Sequence, residues 1–110
     1  MRHSQSAVLE RGVPLGEEHV TEPFEAGWAG EARWYVHFLK GSPSSGVALQ
    51  VQISPDGLNW IDHESPEIHT PAVGLSTITV RAFGLWLRLK TARTTGADEI
   101  LLRIYLELKE

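Results

Sequence analysis

The sequence predicts an all-β fold, an antiparallel sandwich of about eight strands for which a jelly roll is the natural solution, and three observations predict it. Apolar residues recur with a period of two in almost every readable segment. Turn-forming clusters punctuate the chain at intervals of roughly 8 to 12 residues, and no helical period lies between them. The 110-residue length suits one domain, residues 1–110, with a single core.

Val47, Leu49, Val51 and Ile53 alternate with Ala48, Gln50, Gln52 and Ser54. Leu102, Ile104, Leu106 and Leu108 alternate with Arg103, Tyr105, Glu107 and Lys109; the good helix formers there yield to the period. Leu85, Leu87 and Leu89 against Trp86, Arg88 and Lys90 repeat the pattern, which places Leu85 inward and Trp86 outward. Ile78 and Val80 against Thr77, Thr79 and Arg81 add β-branched preference. ARWYVHFLK, residues 32–40, is apolar on both faces apart from His37 and reads as a central strand. Weaker strands fit residues 6–11, 19–24 and 59–63, although residues 1–11 can also be read as an N-terminal arm ordered by a neighbour. Residues 12–16, 27–30, 41–46, 66–74 and 91–98 read as connections.

Composition narrows the function classes. The chain is 42% hydrophobic and 22% charged, and no apolar run approaches the roughly 20 residues of a membrane helix. The first residues lack the apolar centre of a secretion signal, so the expectation is an intracellular protein or one carried out within an assembly. Without cysteine there is no disulfide framework, thiolate zinc site or cysteine nucleophile. A net charge of -4 with scattered basic residues argues against nonspecific binding to nucleic acid or to anionic membranes.

QVQISPDGLNWID, residues 50–62, admits two readings. As a hairpin turn, Pro55 fits the second position of a type I turn, Asp56 the third, and Gly57 supplies the positive φ that follows. Asn59 then bonds the loop backbone and Trp60 packs over the core. As a calcium loop it would need six or more oxygens, and only Asp56 and Asp62 are near. The turn accounts for each residue, so no metal and no cofactor are expected.

VQISPDGLNWID followed by STITVRAFGLWLRLKTARTTGADEILLRIYLEL, about residues 47–108, resembles a pattern in small β-sandwich structural proteins of bacteriophage virions, of the capsid-decoration or tail-associated type. There an S-x-DG-x-x-W hairpin precedes a later strand carrying an aromatic residue and an arginine, here Phe83, Trp86 and Arg88. The sequence departs from the pattern at residues 85–88, where a tyrosine–valine pair is more usual. The resemblance implies a non-enzymatic virion protein, assembled in the host cytoplasm, that binds itself and a capsid or tail protein. It favours a trimer.

Other constellations read more plainly. DHESPEIH, residues 62–69, groups His63 and His69 with three carboxylates, but the spacing fits no short zinc motif and Pro66 precludes an aligning helix, so solvated loop charges are expected. His37 reads as a hydrogen-bonded packing residue. GSPSSG, residues 41–46, lacks the strained nucleophile turn of a hydrolase, and no pair of the 14 acidic residues stands out for glycoside hydrolysis. No catalytic residue is expected. Of the four tryptophans, Trp34 and Trp60 read as core. Trp86, Arg88, Arg103 and Tyr105 read as an interface on one outer face, aromatic and arginine anchors being enriched in interface cores. The alternative is a sandwich-type carbohydrate-binding module with Trp28 and Trp86 as stacking platforms.

Overall fold

The computed structural model describes residues 4–110 and is all-β. Its strands are β1 (Ser4–Pro14), β2 (Glu18–Val20), β3 (Phe24–Glu25), β4 (Glu31–Lys40), β5 (Gly46–Ser54), β6 (Ile61–Asp62), β7 (Ile68–Pro71), β8 (Gly74–Arg81), β9 (Trp86–Thr95) and β10 (Leu101–Lys109). One sheet runs β1-β10-β4-β8, the other β2-β9-β5-β6, with β3 also beside β9 and β7 also beside β5. All pairings are antiparallel. β2 and β3 follow one another along β9, and β6 and β7 follow one another along β5. Counted as continuous edges, they give two four-stranded layers whose connections mostly cross between the sheets, which is the jelly roll.

The alternation places the core. β4 buries Trp34, Val36 and Phe38, and β10 buries Leu102, Ile104, Leu106 and Leu108. Facing them across the sandwich are Val47, Leu49 and Val51 of β5 with Leu87 and Leu89 of β9. Among the described residues, Trp34 Nε1 is the one core side-chain group buried without a hydrogen bond.

Four expectations are corrected. The outward face of β4 is half-buried and mixed rather than apolar, Glu31, Arg33 and His37 alternating there with Tyr35 and Leu39, because only the inner face meets the second sheet. Residues 4–11 are no arm: Ser4 to Pro14 pair along β10, with bulges after Val8 and Glu10, while residues 1–3 lie outside the described residues. Residues 68–71, expected within a connection, form β7, and residues 91–95 extend β9. The single strand expected over 19–24 is divided at Thr21, whose Oγ1 accepts the Leu89 N–H at 3.0 Å just before Pro23, a residue with no N–H to continue the ladder.

At one end of the sandwich the loops are cross-tied. Arg93 donates to the carbonyls of Leu15, Gly16, Gly96 and Asp98 at 2.9–3.4 Å. Ser44 and Ser45 both donate to Asp98 Oδ2 at 3.2 Å. Gly96 has φ +83°, and a Cβ there would lie 2.8 Å from Ser45 Cα, so the close approach of these loops requires glycine.

Candidate functional site

The opposite end carries the β5–β6 hairpin loop. Ser54 ends β5 with its hydroxyl buried beneath the loop, accepting the N–H groups of Asp56 (3.2 Å) and Gly57 (2.8 Å) and donating to Asp56 Oδ1 (2.9 Å). The same oxygen accepts the N–H groups of Leu58 (2.9 Å) and Asn59 (2.8 Å), while Asp56 Oδ2 accepts the Asn59 side-chain amide at 2.7 Å. These donors, led by the Asn59 backbone N–H, hold the Asp56 carboxyl well below the usual carboxylate range. Gly57 adopts φ +77°. Pro55 is exposed at the tip. The carboxylate that a calcium reading would need is thus engaged by four donors of its own loop.

Beneath the loop, on the outer face of the six-stranded sheet, Trp86 and Arg88 project from β9. Trp86 stands opposite Ser54, and a Cβ on Gly57 would meet its ring at 3.3 Å. Arg88 stacks over the Trp60 ring, 4.4 Å from its centroid, and its Nε donates to Gln52 Oε1 at 2.7 Å. Gln52 passes the network on to Asp62 at 2.9 Å. Trp60 is therefore a half-buried residue of the outer face and not of the core, because it immediately precedes β6 and falls on the same side as Asp62, which pairs with Gln52. Leu85 precedes β9 and is 40% exposed rather than inward.

The expected interface quartet is divided by the topology. Trp86 and Arg88 lie on the six-stranded sheet, whereas Arg103 and Tyr105 lie on β10 in the four-stranded sheet, so the two pairs occupy opposite outer faces. A period of two reveals which residues point outward but not to which layer a strand belongs.

Sequence reasoning missed the apolar groove beside the hairpin. Ile53, Pro55, Ile61, Phe83, Gly84 and Leu85 line a depression of about 250 Å³. Around it Leu58 is 82% and Ile61 64% exposed, the two most exposed large hydrophobic residues at this end. Leu58 breaks the polar character of its loop, and that was the available signal. Trp28 is also exposed, and its neighbour Gly27 packs against Leu85.

The histidine-containing run splits as well. His63 is buried, contrary to the expected solvated charge, because its N–H pairs with the Val51 carbonyl and draws the ring under the sheet edge. Its Nδ1 accepts the Ser65 N–H at 3.1 Å, so the proton sits on Nε2, which donates to the Arg81 carbonyl at 3.0 Å. His69 remains at the surface with Glu67 at 2.9 Å. Among the described residues no three His or carboxylate side chains converge as metal ligands.

A family model described as a domain of unknown function, DUF6385, matches residues 31–110. That span runs from β4 to β10 and contains the hairpin, the groove and both outer-face pairs. No curated protein matches the chain. Among solved structures, the crystal structure of the PBSX exported protein XepA is similar in fold, with a TM-score of 0.63 and 11% identity. The likeness covers 98% of this chain and 36% of that one, so the chain spans little more than a third of the neighbour's length.

Proposed function

Since the chain belongs to the DUF6385 family, we propose that it is a non-enzymatic binding module of phage-related particles, docking its hairpin end on a capsid or tail protein and associating with itself. One observation carries the reading. The end of the sandwich bearing the ordered 54–59 loop presents a groove of mostly apolar lining, rimmed by Leu58 and Ile61, over a loop already fixed by its own hydrogen bonds. A preorganised apolar patch of this kind loses little conformational entropy on docking, which favours protein association. The phage-related character of XepA and its similar fold support the setting, and its exported nature is compatible with a virion or extracellular location.

The sugar-stacking alternative finds less support, because the two tryptophans nearest the hairpin are engaged within the chain: Arg88 covers Trp60 and the Gly57 loop lies against Trp86. Trp28 keeps an exposed surface.

The test is co-sedimentation with phage particles, or their isolated capsids and tails, from the organism that encodes the protein. Wild type should pellet with the particles, and Leu58→Asp/Ile61→Asp should stay in the supernatant with an unchanged melting temperature. Equal pelleting of both proteins, or of neither, would overturn the reading.

A further inference from the structure

Charge is distributed unevenly between the two layers. The outer face of the four-stranded sheet is laid out by the register: Arg103 stands beside His37, Tyr105 beside Tyr35, and Glu107 beside Arg33. At the end of that face Lys109 neighbours Glu31, and Glu31 neighbours Arg81. Arg11 joins at the edge, where Arg103 Nε donates to its carbonyl at 3.0 Å. Five cations (Arg11, Arg33, Arg81, Arg103, Lys109) against two anions (Glu31, Glu107) leave this face at +3 on a chain whose net charge is -4. Among the described residues Arg11, Arg33 and Arg103 have no carboxylate partner. Val8, Arg11, Arg103 and Tyr105 enclose a hollow of about 270 Å³, with room for a carboxylate side chain.

The opposite charge sits on the other layer. Glu17, Glu18, Glu22 and Glu25 follow one another along the β2–β3 edge, and among the described residues only Glu18 of these has a cation partner, Lys90 at 3.6 Å. Glu22 and Glu25 are exposed. The edge adjoins β1 through the His19–Glu10 contact at 3.2 Å, but among the described residues none of Glu17, Glu22 and Glu25 forms an ion pair with an arginine of its own chain.

We propose that the basic outer face of the four-stranded sheet is the docking surface for the acidic β2–β3 edge of a second copy. The inference rests on the self-association in the reading above and names the surfaces that produce it. Charge complementarity selects the occupant: the guanidinium groups of Arg11 and Arg103, neither with a carboxylate partner among the described residues, keep N–H donors that suit hydrogen bonds to a carboxylate, and the adjoining Tyr35 and Tyr105 supply rigid contact area. The two surfaces differ, so the contact is heterologous, and it closes into a ring or continues as a stack according to its rotation.

Sedimentation velocity at micromolar concentration tests the proposal. Wild type should associate in low salt and dissociate as salt rises, because exposed charges are screened. Arg33→Glu/Arg103→Glu and Glu22→Lys/Glu25→Lys should each weaken self-association by about tenfold or more. Mixing the two reversed variants should restore association between them, since the acidified face of one then meets the basic edge of the other. Leu58→Asp/Ile61→Asp should associate as wild type does. Self-association that ignores salt and both reversals overturns this proposal while leaving particle docking intact. So does a monomer whose basic face binds polyglutamate or another polyanion but not its own kind. A wild type that neither associates nor binds particles overturns the functional reading as well.

Discussion

Replacing Gly57 by alanine tests whether the hairpin loop and the outer-face tryptophan form one unit. Gly57 has φ +77°, where an L-residue costs about 1–2 kcal/mol, and the stiffer unfolded chain returns about 0.4–1 kcal/mol of that. Gly74 is a control within the same molecule: its φ is +68°, and a Cβ there would meet nothing within 4 Å. Gly74→Ala should therefore cost about 0.5–1 kcal/mol. At Gly57 the new methyl would lie 3.3 Å from the Trp86 ring, which must shift by a few tenths of an ångström. Overpacking by a whole methylene costs about 1–3 kcal/mol, so this milder contact should add about 0.5–1 and bring Gly57→Ala to about 1–2 kcal/mol. Gly57→Val, which drives two further methyls toward the ring, should reach about 2–3 kcal/mol. Urea denaturation of the three variants, with unchanged m-values, measures the differences. The excess over Gly74→Ala should vanish in a Trp86→Ala background. Equal losses at the two glycines would show that Trp86 does not brace the loop, and no loss at either would contradict the left-handed backbone.

Four further outcomes are expected. His63→Ala leaves the Arg81 carbonyl and the Ser65 N–H without their ring partner and should cost about 2–3 kcal/mol in the same assay; a change under a few tenths would mean that water replaces the ring. Trp34→Phe removes a buried donor that has no acceptor, and the relief of about 1–3 kcal/mol should offset much of the lost packing. The variant should stay within about 1 kcal/mol of wild type, and a loss of about 3–5, as for truncation to alanine, would show the N–H to be satisfied. Because the folded-state pKa of Asp56 is depressed, its contribution is present above the ordinary carboxylate value of about 4 and is lost as pH falls through the lower folded value. The melting-temperature gap between wild type and Asp56→Asn should therefore be widest at neutral pH and narrow in acid, whereas a pH-independent gap would contradict the charge-assisted loop. A chelator should leave the melting temperature unchanged, and a fall would reveal a bound cation that stabilises by linkage.

Residues that alternate strictly were legible from the sequence, because a buried face enforces a period of two. β5, β9 and β10 were found in this way, with Val47, Leu49, Val51, Leu87, Leu89 and the four inward residues of β10 buried as expected, whereas Leu85 proved exposed and Ala48 and Ser54 buried. β7 was not, since Ile68 to Pro71 show no alternation and end in proline. His63 was hidden by its neighbours: a histidine within a run of carboxylates reads as solvated, and its burial depends on a carbonyl 18 residues later in the chain. The candidate surface was half legible. Trp86 was placed outward correctly, but its grouping with Arg103 and Tyr105 required knowing the layer of each strand, which is decided by pairings between distant segments. Leu58 and Ile61 escaped notice because isolated apolar residues near a turn are common and acquire meaning only when the groove beside them is seen.

The pairing of β1 with β10 has a kinetic consequence. Ser4 lies opposite Lys109, and Pro14 opposite Leu101, so the first described strand can complete its sheet only when the last has been synthesised. β10 also pairs with β4, and until it arrives the β4 edge has a row of unpaired backbone groups. Such non-local closure is slow, and the waiting edge is exposed to pairing with other chains. The nascent chain should therefore be most vulnerable to misassembly just before β10 leaves the ribosome. Variants that weaken β10 should aggregate during synthesis more than their equilibrium stability alone would suggest.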